Sequence, residues 1–253
     1  VMGMQEYAGK VGYDIITAVS YSTSTAETRQ MNMLFNRTVD GVILLGTQYD
    51  ADSLNKLAEN YNVALCCEGV EGANVLTVAV DDEQAAFDAV AALIKKGHKR
   101  IGFIGTNSSA ISSTARENGY IRALKEYGIE IKNEYIYKES YDYDCGGRAF
   151  EYFNALDEKP TAIFAVSDLL AISAMHKAID MGIDVGKDVA IMGFDNISMC
   201  EWIIPTLSTV EQPCSKMGEL VVAKLIENMN KTTKDNHYYT VDHRIILRES
   251  TGD

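Results

Sequence analysis

Residues 189–214 read VAIMGFDNISMCEWIIPTLSTVEQPC, and the fold follows from this stretch. It opens with a short apolar run, Val189–Met192, set between a helix stop at Gly182 and the glycine at 193. A run of that length and bounding is how a strand covered on both faces reads. Directly after it, Gly193-Phe194-Asp195-Asn196 puts a carboxylate just past the strand's carboxyl end. In open α/β sheets that rim is where ligands sit. Asp195 is placed there to accept two hydrogen bonds from neighbouring hydroxyls of a ligand; an Asx-turn that only ends the strand is the alternative. Pro205–Pro213 supplies the next strand, and Pro213 opens a helix at a first-turn position.

Outward from this block the chain alternates strand and helix twice. In the first half, Val1–Gly12 is a helix, Tyr13–Val19 a strand, and Ser24-Thr-Ala-Glu27 a capping box opening a helix with Met31, Leu34 and Phe35 inward. Strands follow at Val39–Leu45, Val63–Cys67 and Val75–Val80, with helices around Leu54–Tyr61 and over Glu83–Lys96. The second half begins with the strand Arg100–Gly105 and a serine-rich loop, residues 106–113. Helices at Thr114–Tyr127, Cys145–Leu156 and Asp168–Met181 then alternate with strands at Tyr135–Lys138 and Thr161–Val166. The helix Ser215–Met229 and a strand Tyr238–Leu247 close the chain. This pattern predicts an α/β protein of two doubly wound, Rossmann-like lobes, each a parallel sheet covered on both faces. Such a sheet starts with a strand ahead of its first helix. None is present, so the first lobe is expected to lack a strand and the chain to be part of a longer protein.

Composition narrows the function. With 47% hydrophobic residues and three prolines the chain is globular rather than disordered. No apolar run approaches the roughly 18 residues of a membrane span, which argues against a membrane role. Net charge is −13, from 36 acids against 23 bases without any basic stripe, so residues 1–253 are not expected to bind nucleic acid unaided. Five cysteines in no CxxC spacing suit free thiols in a reducing cytosol. An enzyme would need a constellation that is not found: there is no GxGxxG, P-loop or GxSxG, and the four histidines fall in separate elements. Neither a metal nor a cofactor is expected. Asp81-Asp82-Glu83 sits at a helix start, where acids favour the macrodipole.

The stretches "PTAIFAVSD", "IMGFDN" and "PTLSTVEQP" with the "RESTG" tail closely resemble the signature of the LacI/GalR family of bacterial transcription regulators. The resemblance covers nearly the whole chain. It implies the periplasmic-binding-protein-like effector core of such a regulator, with lobes of residues 1–103 plus 208–231 and 104–207 plus 232–253. It further implies a small effector, a sugar or related metabolite, bound in a cleft between the lobes. The family's other traits are a homodimer, a cytoplasmic location, and DNA contact only through a helix-turn-helix module upstream of this chain. An extracytoplasmic sugar-binding protein of a transporter is the competing reading.

Five residues are candidate effector ligands. Asp195 comes from the strand end. Arg116, in "STARENGY", resembles the family's "ARxxGY"; a cation is unfavourable in a first helical turn, so it is expected to answer a partner. Tyr141 aligns with a stacking aromatic, or else fills the wall between strand and helix. Ser167 stands where the family has Asn, ahead of an Asp168 read as a helix cap. Gln84 holds the place of a polar residue that can point at the effector. Trp202, the single tryptophan, is expected in the core, with a stacking platform near Asp195 as the alternative.

Overall fold

The apolar runs pair into two sheets, each held in its own unit of a computed structural model that describes residues 1–20, 23–108, 110–231 and 234–253. The first unit comprises Val1–Val80 and Pro213–Asp242, the second Asp81–Gln212 and His243–Asp253.

In the first unit the strands β1 (Val42–Leu44), β2 (Val63–Cys66), β3 (Leu76–Ala79) and β9 (Tyr238–Thr240) lie side by side, all parallel. The two-residue period of β2 divides its side chains between two cores. Val63 and Leu65 face Met31 and Leu34 of helix α2 (Ser24–Phe35) and Leu54 of α3 (Ala51–Asn60). Ala64 and Cys66 face Met4 of α1 (Met2–Lys10) and Val221 of α8 (Cys214–Met229). The α2 cap is Thr23, whose side chain accepts from Ala26 N. Glu27, expected in a capping box, is instead buried and accepts from the Thr47 hydroxyl and from Gln48 N at 2.9 Å. Tyr13–Val19 forms no strand. A strand needs a ladder partner, and among the described residues none pairs with it. Tyr13 and Ile15 still pack against the α1–α8 core.

The second unit carries β4 (Ile101–Thr106), β5 (Ile136–Glu139), β6 (Ala162–Ala165), β7 (Ala190–Asp195), β8 (Ser208–Glu211) and β10 (Arg244–Ile246) in the order β10-β8-β7-β6-β4-β5. All neighbours are parallel except β10 on β8. From β4 the chain steps outward to β5, then returns past β4 to β6, β7 and β8. The strand order therefore reverses between β4 and β6, and a crevice opens outside the carboxyl ends of such a pair. Helices α4 (Asp82–Lys95), α5 (Ile111–Glu126), α6 (Tyr143–Asn154) and α7 (Asp168–Asp180) share one core with Phe103, Phe164 and Phe194. The α4–α5 approach depends on Gly119, where a Cβ would lie 2.2 Å from the Glu83 carbonyl oxygen.

The units divide at other residues than the sequence suggested. Helix α4 and strand β8 belong to the second unit, and residues 234–242 to the first. The expected strand Tyr238–Leu247 is two strands in different sheets: Val241 N still bonds Ala79 O at 2.9 Å, whereas Arg244 pairs with Glu211. Ser109 of the serine-rich loop and residues 232–233, at the start of the segment 232–253 expected in the second lobe, lie outside the described residues. No helix among the described residues is long and apolar enough to cross a membrane.

Candidate functional site

The reversal between β4 and β6 brings Arg116 of α5 to the ends of β6 and β7. Its Nε donates to Asp82 Oδ1 at 2.8 Å, and its Nη1 donates to the Val166 carbonyl at 2.6 Å. Nη1 also stands 3.8 Å from Asp195 Oδ1, and the guanidinium carbon lies 3.7 Å from the Phe194 ring centroid. Because α5 begins at Ile111, Arg116 sits in the second turn, not the first. The macrodipole is therefore not what makes it unusual; the partners are.

Asp195 ends β7 with φ 120°, followed by Asn196 at 56°. Non-glycine residues held in such sparsely populated regions cost on the order of 1–3 kcal/mol each and persist where surrounding structure over-determines them. Here Asp195 Oδ1 accepts from Gln212 Nε2 at 2.7 Å, and Asn196 N donates to Thr209 Oγ1 at 3.3 Å. Burial pushes the Asp195 carboxyl up to about 6; Arg116 opposes the rise, while the Asp168 and Asp82 charges add to it.

Asp168 is not the helix cap. Ser167 caps α7, its hydroxyl accepting from Leu170 N at 3.4 Å. Asp168, fully buried, turns to the other side, where Oδ1 accepts from Thr209 Oγ1 at 2.5 Å and Oδ2 from Ile197 N at 2.9 Å. Burial raises its pKa, and these donors pull it back. The carboxylate thus anchors the loop that leaves β7. The resulting site has an acceptor and a forked cation, the latter stacked on the buried Phe194 ring, at one rim, and no nucleophile–base pair among the described residues. Among the described residues no group of His, Cys, Asp and Glu could hold a metal.

The model of the periplasmic binding protein-like domain matches residues 90–251. Catabolite control protein A of Priestia megaterium is 36% identical over 98% of this chain and 76% of its own length. The chain belongs to the LacI/GalR family. The transcriptional repressor CytR of Escherichia coli K12 is 30% identical, across 99% of the chain and 74% of that protein. Among solved structures, the complex of the transcriptional regulator CelR with cellobiose superposes with a TM-score of 0.87 at 25% identity, covering 98% of this chain and 77% of that one. Transcription regulation and a periplasmic-binding-protein-like effector core follow as the family's common ground, and these relatives are regulators, not enzymes.

Of the five candidates, the LacI/GalR fold brings Asp195 and Arg116 together. Ser167 is buried beside them, with its hydroxyl engaged in the cap. Gln84 is tied into a different network: its Nε2 donates to Asp88 Oδ1 at 2.9 Å, and its Oε1 accepts from Arg122 Nη2 at 2.6 Å. Tyr141, in the loop between β5 and α6, is 59% exposed, so it does not fill the wall. Trp202 is no core residue: it is 76% exposed beside Ile204 at 87%. Sequence reasoning missed Asp82, Gln212 and Phe194. Asp82 had been absorbed into the helix cap, a task that Asp81 performs by accepting from Gln84 N at 2.9 Å. The neighbours Phe194 and Gln212 were visible only as members of the quoted stretch.

Proposed function

We propose that this chain is the effector-sensing part of a sugar-responsive transcription repressor, binding a small sugar or related metabolite at the carboxyl ends of β4, β6 and β7. The Arg116–Asp195 pair at the strand-order reversal carries the reading. Vicinal hydroxyls donate to the Asp195 carboxylate and accept from the guanidinium, and Phe194 holds that guanidinium flat. Tyr141 offers an open aromatic face for the C–H side of a sugar ring. The cellobiose bound by the CelR regulator supports the ligand class, and CytR's designation as a repressor supports the direction of control.

By likeness to the family, DNA is contacted in the cytoplasm through a helix-turn-helix module upstream; the chain's own charge of −13 repels phosphates. The active form is a homodimer reading two half-sites. Exposed Trp202 and Ile204 suit contact with a second copy. No cofactor or metal enters this scheme.

Thermal-shift screening of a sugar and nucleoside panel finds the ligand, since a ligand specific for the folded state raises its stability. Titration calorimetry then compares variants. Charged hydrogen bonds contribute about 1.5–3 kcal/mol, so Asp195→Asn or Arg116→Ala weakens binding by roughly ten- to a hundredfold. Unchanged affinity in both would place the effector elsewhere.

A further inference from the structure

The site's charge balance restricts what it can hold. Arg116 is the cation that pairs with the carboxylates of this rim, bracketed by Asp82 at 2.8 Å and Asp195 at 3.8 Å, whereas Arg248, which reaches Asn196 Oδ1 at 2.9 Å, is paired with Glu201 at 3.0 Å. A third carboxylate, Asp168, lies behind them, bonded to the same Thr209 hydroxyl that receives Asn196 N. The donors of Arg116 are largely committed as well, with Nε on Asp82 and Nη1 on the Val166 carbonyl. Only Nη2 makes no hydrogen bond among the described residues. Sites that hold phosphate or carboxylate groups do the reverse, presenting unpaired Arg forks or helix N-terminal amides. An anion arriving here meets a guanidinium already neutralised and two carboxylates beside it. In a half-desolvated crevice that like-charge contact is screened far less than in open water. An ammonium group, by contrast, finds a carboxylate whose only ion-pair partner among the described residues stands 3.8 Å away.

We infer that this site accepts neutral or amine-bearing polyols and excludes phosphorylated or acidic ones, with Asp82 as the residue that sets the exclusion by neutralising Arg116. The inference rests on the effector site proposed above. Asp82 occupies the first position of α4, where an acid is favourable on its own account. Its carboxylate nevertheless reaches across to α5.

The test is calorimetry of the whole chain at pH 7.5 with matched probes: glucose, glucosamine, glucose 6-phosphate and gluconate, then cellobiose and cellobionate. In whichever set binds, the neutral or amine-bearing member binds at least tenfold more tightly than the anionic one. Asp82→Asn narrows that gap by at least fivefold, and Asp82→Glu restores it. An anionic member that binds wild-type protein as tightly as its neutral counterpart, or a gap untouched by Asp82→Asn, overturns the exclusion while leaving the sugar site standing. Failure of every probe to bind counts against the sugar site itself, and the inference falls with it.

Discussion

Replacing Asp195 by Asn should stabilise the protein, and only above a definite pH. Burial lifts this carboxyl from 3.8 to about 6. A group with its folded pKa raised binds more protons folded than unfolded, so its contribution to stability falls as pH rises across that window. Above about pH 6 the full cost of holding it charged is present; below about pH 4 it is protonated in both states and the cost is gone. Two pKa units correspond to about 3 kcal/mol. With 31% of the side chain still open to water, about 1–2 kcal/mol is the share expected to appear. The amide keeps an oxygen for Gln212 Nε2, and Asn tolerates positive φ well. For a domain of this size the gain is about 3–6 °C in Tm. Scanning fluorimetry from pH 4 to 8 on both proteins makes the comparison. A variant that melts lower than wild type at pH 8 refutes the reasoning. So does a gain that persists undiminished at pH 4.

Four other outcomes follow from the same structure. Effector affinity of the wild-type protein should fall as pH drops below about 6, by up to about tenfold per unit, because a protonated Asp195 no longer accepts from two hydroxyls; calorimetry at pH 5 and 7.5 reads this. Gly119→Ala should lower stability by about 1–3 kcal/mol in urea unfolding, since its Cβ would sit 2.2 Å from the Glu83 carbonyl oxygen. Gly9→Ala, in the last turn of α1 with nothing within 4 Å, should instead raise it by about 0.4–1 kcal/mol. A Trp202→Glu, Ile204→Glu double variant should sediment as a monomer at concentrations where the wild-type chain is dimeric, with its Tm within about 2 °C of wild type, because both side chains are exposed.

Much of this molecule could be read from local pattern, and the failures share a cause. The second unit's strands β4, β6 and β7 are short runs buried along almost their whole length, and such runs announce themselves. Tyr238–Leu247 reads as one strand, yet it serves two sheets, because pairing is a property of neighbours and not of the run. Tyr13–Val19 has strand composition and no ladder partner among the described residues. At the site, Asp195 was legible because strand ends in this topology point at ligands. Arg116 was found from the family motif; the macrodipole reason offered beside it does not hold, as α5 starts five residues earlier. Gln84 looked available, but a polar side chain's engagement with Asp88 and Arg122 is a matter of tertiary contact. Trp202 shows the limit of treating a lone tryptophan as core by residue type.

Asp168 ties the first residues after β7 to the base of the site, and the same short segment runs on to Trp202 and Ile204. A ligand that rearranges Asp195 and a protein that covers Ile204 would both pull on a stretch only nine residues long. Linkage between binding events is reciprocal: whatever factor the effector applies to association at that loop, association must return to the effector. The affinity measured on an isolated monomer and on the assembled protein will therefore agree only if this loop transmits nothing, and any gap between them is the coupling energy, read directly.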